Sequence, residues 1–579
     1  MDQPRHKPVR RAAVLATSAL MAAPLVALAG GTADAALPDS LPLTISNRTD
    51  RDIYICVNGK QDIGGQSRWG YLSRGSGWAF VPLPASGPPD TKEPVPADFC
   101  TAGPAAGQEL TVPIPKGLYS GRIFWSHGTP LTFQISYVPG SGETGLVTPS
   151  VTNKDDPNLD TEWDFAEFTY NDGGIWFNRT NVDMFATSSE IAVTDARGTR
   201  TKGGLVTSRD AVFNHLTNLG SPWSDLVQYG TDGRRLRALA PALAIERNQQ
   251  PDRQPLSFAG MERYLDEVWR YYQTHDLSVD VPQWQHPETH EIWPPATFRG
   301  RVDGSGQLVL ESVSGRLGQR AVIPRPQPFD VFGCGGLLSN NNDQPGAAMA
   351  RVCAALNRHV LSETTASGEV TTRVDHIGDD SWDAANLYLV RDEQNDYARV
   401  LHQHFVGGEV YAFSYDDIGG HDGTLHSGPE DSPTALRLTI DVPVTSADGR
   451  IEAETFAGRQ GSVSLADAVD TDRGDLVGDL NGGEYLRWDG VRFPAGLTRL
   501  DVRFASGALA GGTLSFRLGS PTAAPIATVD VSSTGGWQSW VTRTVTLTGT
   551  PPAGDHTLYV TVESSSGEPV ANLNWFGFA

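Results

Sequence analysis

Two carboxylates flank an aromatic hairpin in the run EWDFAEFTYNDGGIWFNRTNVDMF, residues 162–185: Glu167 precedes the turn and Asp183 follows it. Cleavage of a glycosidic bond asks for such a pair. One carboxyl must stay protonated to donate to the leaving oxygen, and another must stay ionised to activate water or attack the anomeric carbon. From Phe165 onward the side chains of a strand alternate, so Glu167, Thr169 and Asn171 share one face while Phe168 and Tyr170 share the other. Asn171-Asp172-Gly173-Gly174 is a tight-turn signal. A two-residue turn at Asp172-Gly173 sets Trp176 opposite Thr169 and Asn178 opposite Glu167. An acid, a hydroxyl, two amides and an indole then line one surface. Such a surface suits a sugar, because the indole stacks on the apolar face of the ring and the polar groups bond its hydroxyls. Pattern alone gives the pair little weight, since most carboxylates of any protein are solvated surface groups.

The elements that must position these residues fall into three or four units, the number that a length of 579 residues suggests. From 41 to 188 the pattern is mostly strands, such as 41–47, 52–57 and 121–125, separated by Pro-rich and Gly-rich loops. From 190 to about 375 helical spacing dominates, with helices predicted over 209–219, 260–274 and 347–361 and a fourth over 383–405. The segment EVYAFSYDD, 409–417, returns to strand character and is expected to rejoin the first sheet. A region over 36–441 therefore reads as a β-rich part (41–188 with a strand return over 409–441) facing an α/β part (190–408), one way to build a wide groove. A linker is expected at 442–449. From 450 to 579 only short alternating runs with Gly, Pro and Ser turns follow, the pattern of an all-β sandwich.

Arg5, His6, Lys7, Arg10 and Arg11 precede an uncharged apolar run from 12 to 29 and the small-residue site Ala33-Asp34-Ala35. This reads as a secretory signal peptide over 1–35, by the general route in preference to the twin-arginine one, and places the mature chain outside the cell. No later run is long enough for a membrane anchor. Four cysteines are too few for a disulfide scaffold and read as two local staples. Three pairings are possible; Cys56 with Cys100 and Cys334 with Cys353 is favoured because each closes a short loop inside one subdomain. A net charge of −23, with no dense Lys/Arg cluster beyond Arg234, Arg235 and Arg237, argues against a nucleic-acid partner. A neutral polysaccharide meets no such objection, and the chain is expected to be a monomer. Other chemistries lack their residues. His402 and His404 sit two apart, a spacing that suits neither a zincin motif nor a single helical face, and no Gly-x-Ser-x-Gly elbow joins a strand to a helix. Asp155, Asp156, Asp160, Glu162 and Asp164 read as loop solvation, one of them raising the pKa of Glu167, and Asp416 and Asp417 as structural.

The run EFTYNDGGIWFNRTNVDMF resembles the active-site segment of glycoside hydrolase family 64, the laminaripentaose-producing endo-β-1,3-glucanases. The likeness extends over about 40–440, with support from LPLTISNRTDRDIYICVNG (41–59), similar to the first hairpin of thaumatin-like proteins, and from FSYDD (413–417). The resemblance implies a thaumatin-like β-barrel or sandwich domain beside the mixed α/β domain. It makes Glu167 the general acid and Asp183 the general base, and it places sugar contacts on Thr169, Asn171, Trp176 and Thr180. The implied mechanism is inverting and needs no cofactor, with the carboxyl groups about 6.5–9.5 Å apart to leave room for a water.

Four further motifs in order, IEAETFAG (451), GGEYLRWDGVRF (482), GGWQSW (535) and NLNWFGF (572), resemble family 6 carbohydrate-binding modules, which are lectin-like β-sandwiches. By that likeness Tyr485 or Trp488, with Trp540, grips a sugar ring and Asn574 bonds its hydroxyls, while Glu452 and Glu454 match a pair that holds a structural Ca²⁺. Trp537 and Trp575 are assigned to the sandwich core. A non-catalytic β-glucan-binding protein is the alternative, because thaumatin-like and lectin folds often bind glucan without cutting it. Retention of both acids in an intact motif favours the enzyme.

Overall fold

The computed structural model describes residues 37–579 apart from 74–76, 83–91, 138–143, 250–252, 287–288, 290, 339–342, 362, 365–369, 373, 384–386, 389, 421–422 and 472–473. The expected signal peptide lies outside the described residues. Two sheets make the first unit. In one, Ser40–Asn47 runs parallel to Ala435–Asp441 and antiparallel to Glu109–Pro115, and Ser188–Asp195 with Gly198–Gly203 completes the edge. The other runs Thr424–Ser427, Gly174–Asn178, Trp163–Asn171, Leu118–His127, Ile53–Ile63, Gln66–Ser73 and Gly77–Phe80, with Thr101–Ala102 paired to Ile53–Ile63.

The sheets bury one face against each other. Leu43, Ile45, Ile191 and Leu438 meet Ile55, Ile123, Phe168, Tyr170 and Phe177 in one core. The two-residue period then forces Trp163, Phe165, Glu167 and Thr169 onto the opposite face. There the apolar end of the row, Trp163 and Phe165, joins a second core shared with the helical part, and the row turns polar at Glu167.

The helical part begins later than the sequence suggests, because the two strands spanning 188–203 belong to the first unit. It contains α1 (Arg209–Asn218), α2 (Pro241–Asn248), α3 (Ala259–Tyr271), α4 (Pro328–Gly333) and α5 (Gln344–Asn357) around a five-stranded sheet. That sheet is ordered Arg320–Pro324, Gln307–Ser312, Ala296–Val302, Leu277–Val281 and His376–Ile377. The helix expected over 383–405 is confined to α6 (Asp396–His404). Tyr388 and Asp392 hold positive φ of 56° and 67°, outside helical space, and the Asn395 side chain caps the helix by accepting from Ala398 N. Nor is 409–417 a strand. It contributes a single bridge, Tyr411 with Thr180, and the Asp416 carboxylate draws it into a turn by accepting from Ala412 N at 2.8 Å. The strands that do return are Thr424–Ser427 and Ala435–Asp441. Both disulfides pair as expected, Cys56–Cys100 and Cys334–Cys353.

The last unit is a sandwich. One sheet holds Ser464–Asp467, Asp475–Leu480, Ala571–Phe578, Arg499–Ser506 and Gly536–Thr546, with Ile451–Glu452 on Ala571–Phe578. The other holds Gly458–Gln460, Tyr485–Phe493, Gly554–Glu563, Gly512–Leu518 and Pro525–Val531. Residues 442–449 are packed rather than free. Ala447 is in the sandwich core and accepts from Phe578 N at 2.7 Å, while Thr445 Oγ1 accepts from Ser208 N at 3.4 Å. Helix α1 lies along the module's turn at 453–456, where Asn218 Nδ2 donates to the carbonyls of Glu454 (2.8 Å) and Phe456 (3.0 Å). The two units are therefore docked through polar contacts and not merely tethered. Among the described residues no helix is long and apolar enough to cross a membrane.

Candidate active site

The hairpin forms in the register that its turn dictates: Glu167 faces Asn178 and Thr169 faces Trp176, closed by Asn171 Oδ1 accepting from Gly173 N at 2.8 Å. Across the sheet the row continues from Asn178 and Glu167 to Arg122 and then Asn58. Arg122 is the counter-charge of Glu167. Its Nε donates to Glu167 Oε1 at 3.0 Å, its Nη2 is ion-paired with the same oxygen at 3.0 Å, and its guanidinium lies 4.8 Å from the Phe165 ring. Oε2 of Glu167 is buried and has no hydrogen-bond partner, so it is the oxygen left to carry a proton. Burial is the larger influence on this carboxyl and raises its pKa; the Arg122 charge and the Asn178 amide oppose that, and the negative charge of Asp183 adds to it.

Asp183 stands in a loop beyond the return strand, and an ion pair with no solvent exposure fixes that loop. Arg179 Nη2 donates to Asp164 Oδ2 at 2.6 Å, and the same oxygen accepts from Ala186 N and Thr187 N at 3.0 Å. Tyr397 of α6 donates to Asn181 O at 2.8 Å, and Asp183 O accepts from Ala240 N at 3.0 Å. The Asp183 carboxyl is itself raised, by burial and by the negative charge of Asp164, with Arg122 opposing. The Asp183 charge thus reaches Glu167, and one arginine acts on both carboxyls.

The other sequence candidates divide. Trp176 is half-buried and packs at a tilt against His426 of the neighbouring strand, ring centroids 4.4 Å apart, and Thr169 lies half-buried beside it, so both border the site. Asn171 is exposed and spends its carbonyl on the turn. Thr180 is closed from solvent at 2% exposure and forms a backbone bridge with Tyr411, so it cannot meet a sugar directly in this arrangement. Of the acidic loop residues, Asp164 is the Arg179 partner, Glu162 pairs with Arg51 at 3.0 Å, and the group that raises Glu167 is Asp183 rather than any of them. Asp416 is structural, buried against Arg358 (2.6 Å) and His402 (3.0 Å).

Arg122 and Tyr411 were not legible as site residues. Arg122 reaches Glu167 only through pairing of strands 45 positions apart. Tyr411, whose hydroxyl feels the Glu167 charge, comes from the segment read as a strand.

In the module several assignments need correction. Trp488 is 3% exposed in the core, its Nε1 donating to Thr455 Oγ1 at 3.0 Å, and Asn574 is fully buried with Nδ2 on Asp470 Oδ2 at 3.0 Å. Neither is free to meet a sugar. Tyr485 and Trp540 stand on different sheets, Tyr485 edge-on to Tyr559 and Trp540 donating to Gln538 Oε1, so they do not make one aromatic pair. Trp537, assigned to the core from sequence, is 39% exposed; its indole covers Gly507 and its carbonyl accepts from Asn572 Nδ2 at 2.7 Å. Glu452 is ion-paired with Arg450, and Glu454 is buried at 1% exposure.

Comparison with known proteins agrees with this division. The family model described as β-1,3-glucanase, glycoside hydrolase family 64, matches residues 39–442, and that of the family 6 carbohydrate-binding module matches 452–579. The chain is 34% identical over 500 residues to a glucan endo-1,3-β-glucosidase of Cellulosimicrobium cellulans, covering 82% of this chain and 81% of that protein. It is 34% identical over 501 residues to one of Arthrobacter sp. (strain YCWD3), with the same coverage. A solved laminaripentaose-producing β-1,3-glucanase in complex with laminaritetraose is similar at 32% identity and a TM-score of 0.56, over 70% of this chain and 99% of that one. The chain belongs to glycoside hydrolase family 64, the β-1,3-glucanases, and carries a family 6 carbohydrate-binding module after the catalytic region.

Proposed function

We propose that this protein is a secreted, monomeric endo-β-1,3-glucanase that cuts laminarin- and curdlan-type chains into short oligosaccharides, laminaripentaose foremost, with inversion at the anomeric carbon. The observation that carries this reading is the Glu167 carboxyl, pinned through Oε1, unpartnered at Oε2 and raised by burial, with Asp183 acting on it. In the proposed cycle Glu167 delivers its proton to the glycosidic oxygen. Asp183 takes a proton from a water that attacks the opposite face of the ring, and a separation of about 6.5–9.5 Å between the carboxyls goes with that route. The reaction draws on no cofactor. Oligosaccharide release from laminarin, followed by proton NMR, tests both halves: α-anomer product first is expected, and β-anomer first would overturn the inverting assignment.

Arg122 sets where the pair titrates. Its charge lowers the pKa of both carboxyls, so Arg122→Met is expected to raise both. The base then needs a higher pH to ionise and the acid keeps its proton to a higher pH. The whole bell of kcat/KM against pH should move upward with a lower summit. An unmoved bell would show that Arg122 does not tune the pair.

The module is read as the part that holds the enzyme on insoluble glucan, raising local substrate concentration without new contacts at the cut. Trp537, the exposed indole of the sandwich, is its proposed platform. Trp537→Ala should lose binding to curdlan particles while soluble laminarin is cut at the parental rate; equal loss on both would place Trp537 elsewhere in the function. A structural cation at Glu452 and Glu454 completes the reading. It is supported by the mutual repulsion of the two carboxylates and by the unpartnered, buried Glu454 Oε2, a donor of the hard oxygen type that such ions take.

A further inference from the structure

Where the module meets α1, three ligand-bearing side chains from both units converge. His215 lies in the last turn of α1, Glu454 in the turn Ala453–Thr455 and Asp475 at the head of Asp475–Leu480. All three are buried, and one ligand atom from each lies within 4.8 Å of the others. His215 Nε2 is 2.7 Å from Asp475 Oδ2 and 3.8 Å from Glu454 Oε1. Ligand atoms on a tetrahedral zinc stand roughly 3.3 Å apart, so small side-chain adjustments would seat an ion among them.

Two further observations point to a cation. Glu454 Oε2 and Asp475 Oδ1 are both buried without a hydrogen-bond partner. The local charge also fails to balance. Asp396 and Asp475 share the single guanidinium of Arg399, at 2.5 Å and 2.9 Å, and Glu454, with Glu452 adding like charge, has none of its own. Three carboxylates around one guanidinium in a dry interior are costly to ionise together, and a divalent ion removes that cost.

The histidine chain fits as well. His215 Nδ1 is 3.1 Å from His404 Nε2, and His404 Nδ1 is 2.7 Å from Thr207 Oγ1. With Nε2 on a metal, His215 donates through Nδ1 to His404, which donates in turn to Thr207, so every ring nitrogen has a use and the tautomer is fixed. The metal-free direction also satisfies the rings but leaves Glu454 Oε2 orphaned.

We infer that His215, Glu454 and Asp475 form a divalent-cation site shared between the catalytic region and the module, with a nitrogen donor that favours a zinc-type ion over calcium. This extends the structural cation proposed above for the module by making the catalytic region one of its ligands. The ion would clamp the two units, because it binds only when they are docked.

The test is metal content and calorimetry on the full chain after chelation, titrated separately with Zn²⁺ and Ca²⁺. One equivalent of Zn²⁺ is expected to bind and raise the unfolding temperature, and both effects should be lost in Glu454→Gln and in His215→Gln. An ion retained by His215→Gln would overturn the shared site while leaving a module-only cation. No stoichiometric ion would overturn both, and hydrolysis of laminarin in the same preparations keeps the glucanase reading separate. Should His215→Gln fail to fold, Co²⁺ in the parent protein decides: visible bands of a nitrogen-ligated low-coordinate ion support the site, and a spectrum of hydrated Co²⁺ overturns it.

Discussion

Glu167→Gln is expected to lower kcat on laminarin by about 10²–10⁴, the worth of a well-placed general acid. The amide can still present an oxygen to Arg122, so the strand and its neighbours should stand, but the position of Oε2 then carries an NH₂ that has no proton to give. The loss should depend on the leaving group. A laminari-oligosaccharide carrying dinitrophenol departs without protonation, so Glu167→Gln should regain most of its rate on it. Asp183→Asn, which removes the base that draws a proton from water, should stay slow on both substrates. Steady-state kinetics of the two variants on the two substrates therefore separate the roles. If neither variant recovers on the aryl substrate, Glu167 is not the acid, and if both do, Asp183 is not the base.

The part of this site legible in the sequence is the part that local rules decide. Asn171-Asp172-Gly173-Gly174 fixes a two-residue turn, the turn fixes register, and register places Asn178 against Glu167. Phe168 and Tyr170 could then only face the core. What escaped came from elsewhere in the chain. Arg122 is opposite Glu167 because the Leu118–His127 strand pairs beside Trp163–Asn171, and neither strand announces its neighbour. EVYAFSYDD has the composition of a strand, yet the Asp416 carboxylate bonds Ala412 N and turns the segment, leaving a single bridge between Tyr411 and Thr180. Composition could not foresee a side chain competing with a ladder. The module shows the same limit on tryptophans. Trp488 and Trp537 both occur in strands, but Trp488 points into the sandwich, while Trp537 finds an open seat over Gly507, thirty positions upstream.

Asp164→Asn should be the most destabilising single change at the site, costing about 3–5 kcal/mol, as breaking one partner of a buried ion pair does. Neither Asp164 nor Arg179 has any solvent exposure. Asn keeps the shape but turns an NH₂ either toward Arg179 Nη1 and Phe165 N or toward Arg179 Nη2, Ala186 N and Thr187 N, donors facing donors, and leaves the arginine charge uncompensated. The damage is local to chemistry as well, because those amides hold the stretch that carries Asp183. Thermal unfolding should show the loss, with Asp155→Asn, an exposed neighbour, unchanged as the control. Activity carries a second sign. The negative charge of Asp164 raises the pKa of Asp183, so in whatever folded fraction remains the base ionises at lower pH and the acid limb of the bell should move down. Arg122→Met moves that limb up. Opposite displacements from two charges on either side of one carboxylate would mark Asp183 as the group titrating on the acid side, which a loss of activity by itself does not.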